Sequence, residues 1–256
     1  MKRVVGAPFY WLYKKKLWRQ IRDKPKPHHV GIILDGNRRF ASEHGNEPWV
    51  GHVIGAQKVE EVLAFSFECG IRGVTLYAFS TENFNRSETE VQKIMEIAIK
   101  KFTEILKNPM IHKYRVRVKA IGKTELLPEQ VQKVIKDAEE VTKNYEDYFL
   151  NIAIGYGGRI EIIDAVKEIS KKVKNGELDI NDITEEEIEK NLYTSGLPDP
   201  DVIIRTSGEE RLSGFLLWQS AYSELIFLDV YWPAIRKIDF WRAIRTYQQR
   251  DRRYGK

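Results

Sequence analysis

The sequence predicts an α/β protein with a single domain, in which a central, mostly parallel sheet of six strands is flanked by helices. Three observations lead to this fold class. Short apolar segments recur at 30–34, 73–79, 115–121, 149–155, 202–205 and 225–228. Amphipathic helical patterns separate these segments, as in sheets that are covered on both faces. No internal repeat or low-complexity linker divides 28–256, so we expect one domain there.

The composition restricts the class of protein and its partners. The chain has 256 residues, of which 42% are hydrophobic and 31% are charged, as is typical of a globular protein. A single cysteine, Cys69, excludes an intramolecular disulfide framework and favours a reducing compartment, so we expect a cytoplasmic protein. No apolar stretch has the length of a membrane span. The formal charge of +5 favours anionic partners in general, and we expect no nucleic-acid partner.

Residues 1–27 form a basic arm that differs from the rest of the chain. Tyr10, Tyr13, Leu17 and Ile21 recur at helical spacing. The opposite side of that helix carries four cations: Lys15, Lys16, Arg19 and Arg22. Such a helix can lie on an anionic membrane surface, as a peripheral contact, or it can pack on its own domain. The sequence leaves both interpretations open.

Apolar residues at helical spacing predict three of the helices between the strands. The stripes that mark them are Val91, Ile94, Met95, Ala98, Phe102 and Ile105; Val131, Val134, Ile135 and Ala138; and Ile160, Ile163, Val166, Ile169 and Val173. The second helix follows Pro128, a residue favoured at helix starts. We expect all three stripes to face the core.

Polar segments follow three of the strands at the point where each strand ends. They occupy 35–39, 80–86 and 205–213, and each of them contains arginine. In open parallel sheets, ligands bind beyond the carboxyl ends of the strands. We therefore expect these three segments to form one binding site.

The residue types in these segments suit diphosphate ligands. Gly36 lets the backbone approach a ligand closely, at the start of a helix whose positive end attracts phosphate. Fork-shaped donors come from Arg39, Arg86, Arg205 and Arg211, and Ser213 adds a hydroxyl group. A lone carboxylate among phosphates would be repelled, so Asp35 predicts a bridging Mg²⁺ ion. Neither a P-loop nor a dinucleotide fingerprint occurs.

Five motifs resemble those of the cis-prenyltransferases, the undecaprenyl diphosphate synthase family. They are DGNRR at 35–39, GH at 51–52, LYAFSTENFNR at 76–86, DVIIRTSGEERLSGFLLWQSAYSEL at 201–225 and RRYG at 252–255. The resemblance runs from His28 to Gly255 and is specific, because the motifs are long and follow the family's order. It implies a homodimeric, Mg²⁺-dependent enzyme with 28–256 as its catalytic domain. Such enzymes condense isopentenyl diphosphate repeatedly onto an allylic diphosphate, and their cis-polyprenyl products serve as precursors of glycosyl carrier lipids.

The resemblance also implies roles for individual residues. Asp35 would hold Mg²⁺ and assist departure of the allylic diphosphate, and Glu224 would complete the metal site. The allylic diphosphate would lie among Gly36, Asn37, Arg38, Arg39, Phe40 and His52. The reacting centre would be lined by Ser80, Thr81, Glu82, Asn83, Phe84 and Arg86, with Asn83 at the place of the proton acceptor. The isopentenyl diphosphate would contact Arg205, Arg211, Leu212 and Ser213. Arg253 and Gly255 match an Arg-x-Gly sequence that reaches across the dimer.

The fold implied by the resemblance contains an apolar tunnel for the growing chain. Ala78 is small at a position where a bulky side chain would block such a tunnel. The other candidate walls are Leu76, Phe79, Ile94, Ile97, Ala98 and Ile154.

Some positions depart from the bacterial pattern of the family. Phe40 and Phe84 stand where bacterial members commonly carry tryptophan, and Pro48 stands where they often carry arginine. The stretch 206–210 and the Lys- and Ile-rich composition resemble archaeal members. Because archaeal members typically prefer a geranylgeranyl primer, we expect that primer, with a farnesyl primer as the alternative, and a product of about undecaprenyl size.

Two other functions are compatible with parts of the sequence. Asp35 could serve as the nucleophile of a phosphoryl-transfer enzyme, although the second acid of that pattern is replaced by Asn37. The chain could also be a non-catalytic accessory subunit of a heteromeric cis-prenyltransferase. Accessory subunits typically lose the acid and arginines of the first polar segment, which this chain keeps.

Overall fold

A six-stranded sheet forms the centre of the structure, a computed structural model that describes residues 7–250. Its strands are β1 (His29–Ile33), β2 (Gly73–Ser80), β3 (Val116–Ile121), β4 (Tyr148–Tyr156), β5 (Val202–Thr206) and β6 (Glu224–Leu228). They lie in the order β3-β4-β2-β1-β5-β6, and every neighbouring pair is parallel. The predicted fold class is confirmed, and each predicted strand is present with its ends within one residue of the expected ones.

Nine α-helices surround the sheet within the described range. They are α1 (Ala7–Ile21), α2 (Asn37–Glu43), α3 (Pro48–Glu68), α4 (Glu88–Ile105), α5 (Pro109–Lys113), α6 (Glu129–Thr142), α7 (Gly158–Lys174), α8 (Glu185–Asn191) and α9 (Lys237–Gln248). The predicted stripes lie on α4, α6 and α7. Helices also provide the connections between the first five strands, because a parallel pair needs a crossover of this length.

Side chains of the strands alternate between two cores, one on each face of the sheet. In β1, Ile32 belongs to the larger core and Ile33 to the smaller one. In β5, Ile204 and Ile203 divide in the same way. The larger core also contains residues of α3, α4, α6 and α9. The continuous apolar strands of the sequence therefore reflect burial on both faces.

The stripe predicted for α7 is wrong in part. Ile163 and Val166 are 51% and 54% exposed. The buried face of α7 instead carries Glu161, Ala165 and Ile169. Three residues of helix turn through about 300°, so a spacing of three drifts backwards by about 60° per step and leaves the core face. The buried residues are spaced by four. Four residues turn through about 400°, so each step shifts the side chain by only about 40°.

The two halves of the basic helix α1 fit different interpretations of the arm. Its C-terminal half packs on α9, because Leu17 and Ile21 are buried and the rings of Trp18 and Trp241 stack with centroids 4.8 Å apart. In its N-terminal half the large apolar side chains are exposed: Phe9, Tyr10, Trp11, Leu12 and Tyr13. Among the helices described, none has the length and apolar character needed to cross a bilayer.

The winding of the chain places the carboxyl end of β1 at the centre of the sheet. From β1 the chain proceeds to β2 on one side, and it later returns to β5 on the other side. Such a reversal opens a crevice beyond the strand ends, where ligands bind in sheets of this kind. The segments that follow β1, β2 and β5 border this crevice.

Candidate active site

The polar pocket is a cavity of about 610 Å³ beyond the carboxyl ends of β1, β2 and β5. Eleven predicted site residues line it: Asp35, Gly36, Asn37, Arg38, Arg39, His52, Ser80, Asn83, Arg86, Arg205 and Ser213. Pro48, which replaces the bacterial arginine, also lines it. The structure thus brings the three polar segments together, with four arginines around one carboxylate.

The turn after β1 requires a glycine. Gly36 has a φ of 97°, in the left-handed region, and directly precedes α2. A Cβ atom at this position would lie 2.6 Å from Tyr231 Cδ1 and 3.1 Å from Ser207 Cβ. The N–H of Gly36 donates to Asp35 Oδ1 at 2.7 Å. This turn therefore holds the Asp35 carboxylate at the edge of the pocket.

Asp35 is paired with arginines from two different segments. Arg205 donates to Asp35 Oδ2 from Nη2 at 2.7 Å and from Nε at 3.3 Å. Arg39 Nη2 lies 3.6 Å from the other carboxylate oxygen. The parallel register brings this about, because Arg205 lies opposite Ile33, two residues before Asp35. The carboxylate is therefore not isolated before any ligand binds.

Arg205 connects the segment after β1 with the segment after β5. Arg205 is buried, with only 4% of the residue exposed to solvent. From Nη1 it donates to Ser213 Oγ at 2.9 Å and to the carbonyl oxygen of Arg211. A planar guanidinium group with several fixed donors suits this position, whereas a lysine could not hold all these partners at once.

Glu90, at the start of α4, contacts two arginines and one histidine of the site, a role that was not predicted from the sequence. Its carboxylate accepts from Arg86 Nη1 at 3.1 Å and from His52 Nε2 at 3.0 Å, and it lies 3.7 Å from Arg38 Nε. A signal was present, because Ser87-x-x-Glu90 has the pattern of a helix start and Ser87 Oγ accepts the Glu90 N–H. That pattern locates the helix but does not show where the Glu90 side chain points.

His52 is favoured as a neutral imidazole. Burial lowers the pKa of His52, and this outweighs the hydrogen bond to Glu90, which raises it. A neutral ring that donates from Nε2 to Glu90 keeps Nδ1 as an acceptor. His52 therefore adds no positive charge to the pocket near pH 7, and the arginines supply the cationic character.

This burial predicts how stability depends on pH. The pKa values of His52 and His29 are both lowered by burial, so below about pH 6.5 the unfolded chain binds protons that the folded chain does not. The free energy of unfolding should decrease as the pH falls from about 7 to about 5. Thermal melts across this range should show a smaller decrease for His52→Gln than for the unmodified chain. An equal or larger decrease in the variant would contradict the role of His52.

An apolar cavity of about 160 Å³ adjoins the polar pocket and lies between α3, α4 and the sheet. The two cavities share the lining residues Leu34, Asn37, His52, Ala78 and Phe79. The seven candidate tunnel walls all line the apolar cavity: Leu76, Ala78, Phe79, Ile94, Ile97, Ala98 and Ile154. A ligand with a charged head and an apolar tail can therefore occupy both cavities at once.

Strand β2 is irregular where the two cavities meet. Its register with β4 shifts between Tyr77 and Phe79 and again between Phe79 and Ser80. Ala78 lies at this irregularity and lines both cavities. A bulge of this kind re-aims a side chain next to a site. Because this side chain is a single methyl group, Ala78 adds little bulk where the two cavities meet.

The oxygen atoms of the polar pocket suit a magnesium ion that arrives with a substrate. Asp35 supplies a carboxylate to the polar pocket. Over residues 7–250 there is no cluster of three or more His, Cys, Asp or Glu side chains that could hold a metal. Mg²⁺ commonly binds through one or two carboxylates, several waters and substrate phosphates. The donor set therefore fits Mg²⁺ shared with a diphosphate.

Several predicted site residues do not line the polar pocket: Phe40, Thr81, Glu82, Phe84, Arg211, Leu212 and Glu224. Phe40 packs on His44, and Phe84 meets Phe79 edge to face with centroids 4.9 Å apart. Arg211 pairs with Glu209, and its side chain is 61% exposed. Arg253 and Gly255 lie outside the described residues.

Glu224 lies at the opposite end of the sheet from Asp35. It is the first residue of β6 and pairs with Val202, which pairs with Val30. Ile33 is three residues further along the parallel strands, about 10 Å, and Asp35 follows it. The expected metal site of Asp35 and Glu224 is therefore not formed within one chain. The sequence could not show this, because it does not specify the register of β6.

A second buried carboxylate supports the segment that carries Ser213. Ser213 and Leu216 have φ values of 49° and 44°, a strained region for residues with a side chain. Glu161, 1% exposed, accepts from the hydroxyl of Tyr156 and from Gln219 Nε2 at 3.1 Å. Since Gln219 follows Leu216 by three residues, Glu161 fixes the end of the strained stretch. This role of Glu161 was not predicted from the sequence.

Comparisons with known proteins agree with this geometry. Residues 33–255 match the family model described as undecaprenyl diphosphate synthase. The chain belongs to the undecaprenyl diphosphate synthase family. The tritrans,polycis-undecaprenyl-diphosphate synthase (geranylgeranyl-diphosphate specific) of Methanocaldococcus jannaschii is 58% identical over 247 residues, 96% of this chain and 88% of that protein. The protein of the same name from Methanopyrus kandleri is 52% identical over 254 residues, with 99% and 94% covered.

A solved structure of the family matches the fold. Lavandulyl diphosphate synthase from Lavandula x intermedia, in complex with dimethylallyl diphosphate, superposes with a TM-score of 0.87. It is 33% identical to this chain, and the match covers 90% of this chain and 99% of that one. The family and the archaeal affinity predicted from the motifs are thus confirmed.

Proposed function

We propose that this chain is a cis-prenyltransferase, which condenses isopentenyl diphosphate units in sequence onto an allylic diphosphate and makes a long cis-polyprenyl diphosphate. The observation that carries the proposal is an arginine-rich pocket that shares five lining residues with an adjoining apolar cavity. Diphosphate groups need the arginines of the polar pocket, and a growing hydrocarbon tail needs the apolar cavity. A phosphoryl-transfer enzyme would not need the apolar cavity.

The two diphosphates would lie on either side of Asp35. The allylic diphosphate would bind at the start of α2, where Arg38 and Arg39 reach into the polar pocket. The isopentenyl diphosphate would bind near Arg205 and Ser213, with the exposed Arg211 turning from Glu209 to the phosphates. Holding both substrates in one cavity makes the attack local, which can contribute roughly 7–11 kcal/mol.

In each condensation the carbon–oxygen bond of the allylic diphosphate breaks, a carbon–carbon bond to the isopentenyl unit forms, and a proton leaves. Negative charge grows on the departing diphosphate, and the arginines stabilise it electrostatically. Asn83 Oδ1 accepts the N–H of Ser80 at 3.1 Å, so this amide, a weak base, is already engaged. We therefore assign the proton to an oxygen of the departing diphosphate and an orienting role to Asn83.

Asp35 would hold Mg²⁺ together with oxygens of a diphosphate. When bound, the ion supplies Lewis-acid stabilisation of the charge on the leaving group. The pairing with Arg205 fixes the orientation of the Asp35 carboxylate before substrates arrive. That orientation is the contribution of this chain to the metal site.

A homodimer would explain the position of Glu224. β6 is an edge strand; Leu225 within it is 40% exposed, and Tyr222, two residues before it, is 81% exposed. Apolar residues along an open sheet edge favour pairing with a second copy. Glu224, Arg253 and Gly255 would then act across the interface.

The exposed half of α1 suits a peripheral membrane contact. Phe9, Trp11 and Leu12 are more than half exposed, and Lys15 and Lys16 are exposed on the following turn. Aromatic and basic side chains in this arrangement bind anionic lipid surfaces. Such a contact would keep a cytoplasmic enzyme near the membrane that receives its apolar product.

The activity of the purified chain alone tests the proposal. Labelled isopentenyl diphosphate, Mg²⁺ and either geranylgeranyl or farnesyl diphosphate should give butanol-extractable polyprenyl products of about undecaprenyl size. We expect the geranylgeranyl primer to be preferred, as in the names of the archaeal relatives. Chelation of Mg²⁺ should stop the reaction. Absence of product with every primer would contradict the proposal and favour the accessory-subunit role.

Replacing Ala78 with leucine should shorten the products. The larger side chain would narrow the junction of the two cavities, across which each condensation pushes the hydrocarbon tail. We expect the first condensation still to occur, while the longest products disappear because each further step moves more of the tail past the leucine. Chain-length analysis by reverse-phase chromatography measures both quantities in one reaction. An unchanged product distribution would place Ala78 outside the path of the tail.

A further inference from the structure

Helices α3 and α4 form two walls of the apolar cavity and both begin at the polar pocket. His52 on α3 and Glu90 on α4 are joined by a hydrogen bond of 3.0 Å at the mouth of the cavity. From there the two helices run away from the polar pocket, and the cavity lies between them and the sheet. The separation of α3 from α4 therefore sets the width available to a tail.

A second link joins the same two helices further along the cavity. Lys101 Nζ on α4 lies 3.1 Å from Glu60 Oε1 on α3 and 2.7 Å from Glu104 Oε2 on its own helix. Lys101, Glu60 and Glu104 all line the apolar cavity. Most of the neighbouring wall is hydrocarbon, contributed by residues such as Leu63 and Phe102. An ammonium group in such a wall is unfavourable to an apolar ligand that passes it.

The position of this link along the cavity follows from helix geometry. Glu60 comes eight residues after His52, which is about 12 Å along α3. Lys101 comes eleven residues after Glu90, which is about 16 Å along α4. Apolar lining residues continue beyond the link, among them Ile105 and Ile111. The Lys101 link thus crosses the cavity part-way along it and does not form its end.

We propose that Lys101 determines product length, because its ion pair with Glu60 holds α3 against α4 at the depth where an elongating tail must pass. This inference rests on the prenyl-transfer function proposed above. Lys101 and Glu60 have side chains that are 27% and 49% exposed, and ion pairs with this exposure are weak. Each condensation pushes the tail one unit further past the link, so a weak link slows every elongation step without stopping it. The products are therefore shorter than they would be without the link.

The test compares two adjacent lysines of α4. Lys101→Ala removes the link, whereas Lys100→Ala removes the same charge from a side chain that is 72% exposed and does not line the cavity. Each full-length variant is incubated with a geranylgeranyl primer, excess isopentenyl diphosphate and Mg²⁺, and the products are resolved by mass spectrometry. We expect the most abundant product of Lys101→Ala to be longer by at least one five-carbon unit. Lys100→Ala should match the unmodified chain.

Other results would overturn the inference. They are an unchanged distribution in Lys101→Ala, a shift towards shorter products, or an equal shift in Lys100→Ala. Glu60→Gln breaks the same link from α3 and should give the longer products as well, so the test still holds should Lys101→Ala fold poorly. Unmodified chain without any polyprenyl product would reject the proposed function itself. Active unmodified chain with unaltered Lys101→Ala products would reject the role of Lys101 alone.

Discussion

Replacing Asp35 with alanine should lower kcat by about 10²–10³-fold, the loss expected when one preorganised charge-stabilising group is removed. The KM for isopentenyl diphosphate should change little. Arg205 would lose its carboxylate partner but keep its hydrogen bonds to Ser213 and to the Arg211 carbonyl oxygen. Its guanidinium group would therefore stay in place to bind a diphosphate. Steady-state kinetics with saturating primer separates the two parameters.

Two further variants control this result. Asp35→Asn keeps the shape of the side chain and an acceptor for the Gly36 N–H, so it separates the carboxylate charge from the geometry of the turn. Asp23→Ala removes an acid that is 78% exposed on the basic arm and should leave kcat unchanged. Turnover close to normal in both Asp35 variants would remove this residue from the mechanism. A large fall in kcat for Asp23→Ala would show that the effect is not specific to the site.

Replacing Arg205 with methionine should weaken both the fold and the binding of isopentenyl diphosphate. Methionine fills a similar volume but leaves Asp35 without its closest cation. Breaking a buried pair can cost about 3–5 kcal/mol, and because Asp35 is 27% exposed we expect about 2–3 kcal/mol less free energy of unfolding. Loss of a charge-assisted bond to phosphate should raise the KM for isopentenyl diphosphate by about 10–100-fold.

Thermal melts and steady-state kinetics measure these two effects separately. Arg205→Lys retains the charge without the fork and should give intermediate values for both. Arg72→Met tests an arginine that bonds to the Glu146 and Asp147 carbonyl oxygens, near the amino end of β2, and should alter neither the KM nor kcat. An unchanged KM for Arg205→Met would place the isopentenyl diphosphate elsewhere in the pocket.

The strands and the place of the site could be predicted because they depend on local pattern. Each strand is a short apolar run, and burial on both faces makes such runs continuous. The three polar segments lie directly after strands, so their meeting at one sheet edge follows from parallel topology alone. The prediction failed where periodicity was ambiguous, as in α7, where Ile163 and Val166 are spaced by three and turn away from the core.

The partners of the site residues could not be predicted in the same way. Glu90 is a helix-start residue in the sequence, yet its side chain holds Arg38, Arg86 and His52. Glu224 belongs to a motif that resembles the family's metal site, yet strand register places it at the amino end of the sheet. Both facts depend on contacts between segments far apart in the chain.

The sequence by itself determined the sheet, the edge that carries the charged segments, and membership of the family, since apolar periodicity and contiguous motifs are properties of neighbouring residues. Tertiary structure alone decided that Arg205 forms a hydrogen-bonded ion pair with Asp35, that Lys101 links α3 to α4 by an ion pair, and that the C-terminal half of α1 packs in the core. The physical reason is the separation along the chain between the residues that interact. Backbone pattern follows from residues a few positions apart, whereas ion pairs and cavities form between side chains that meet only after the chain has packed.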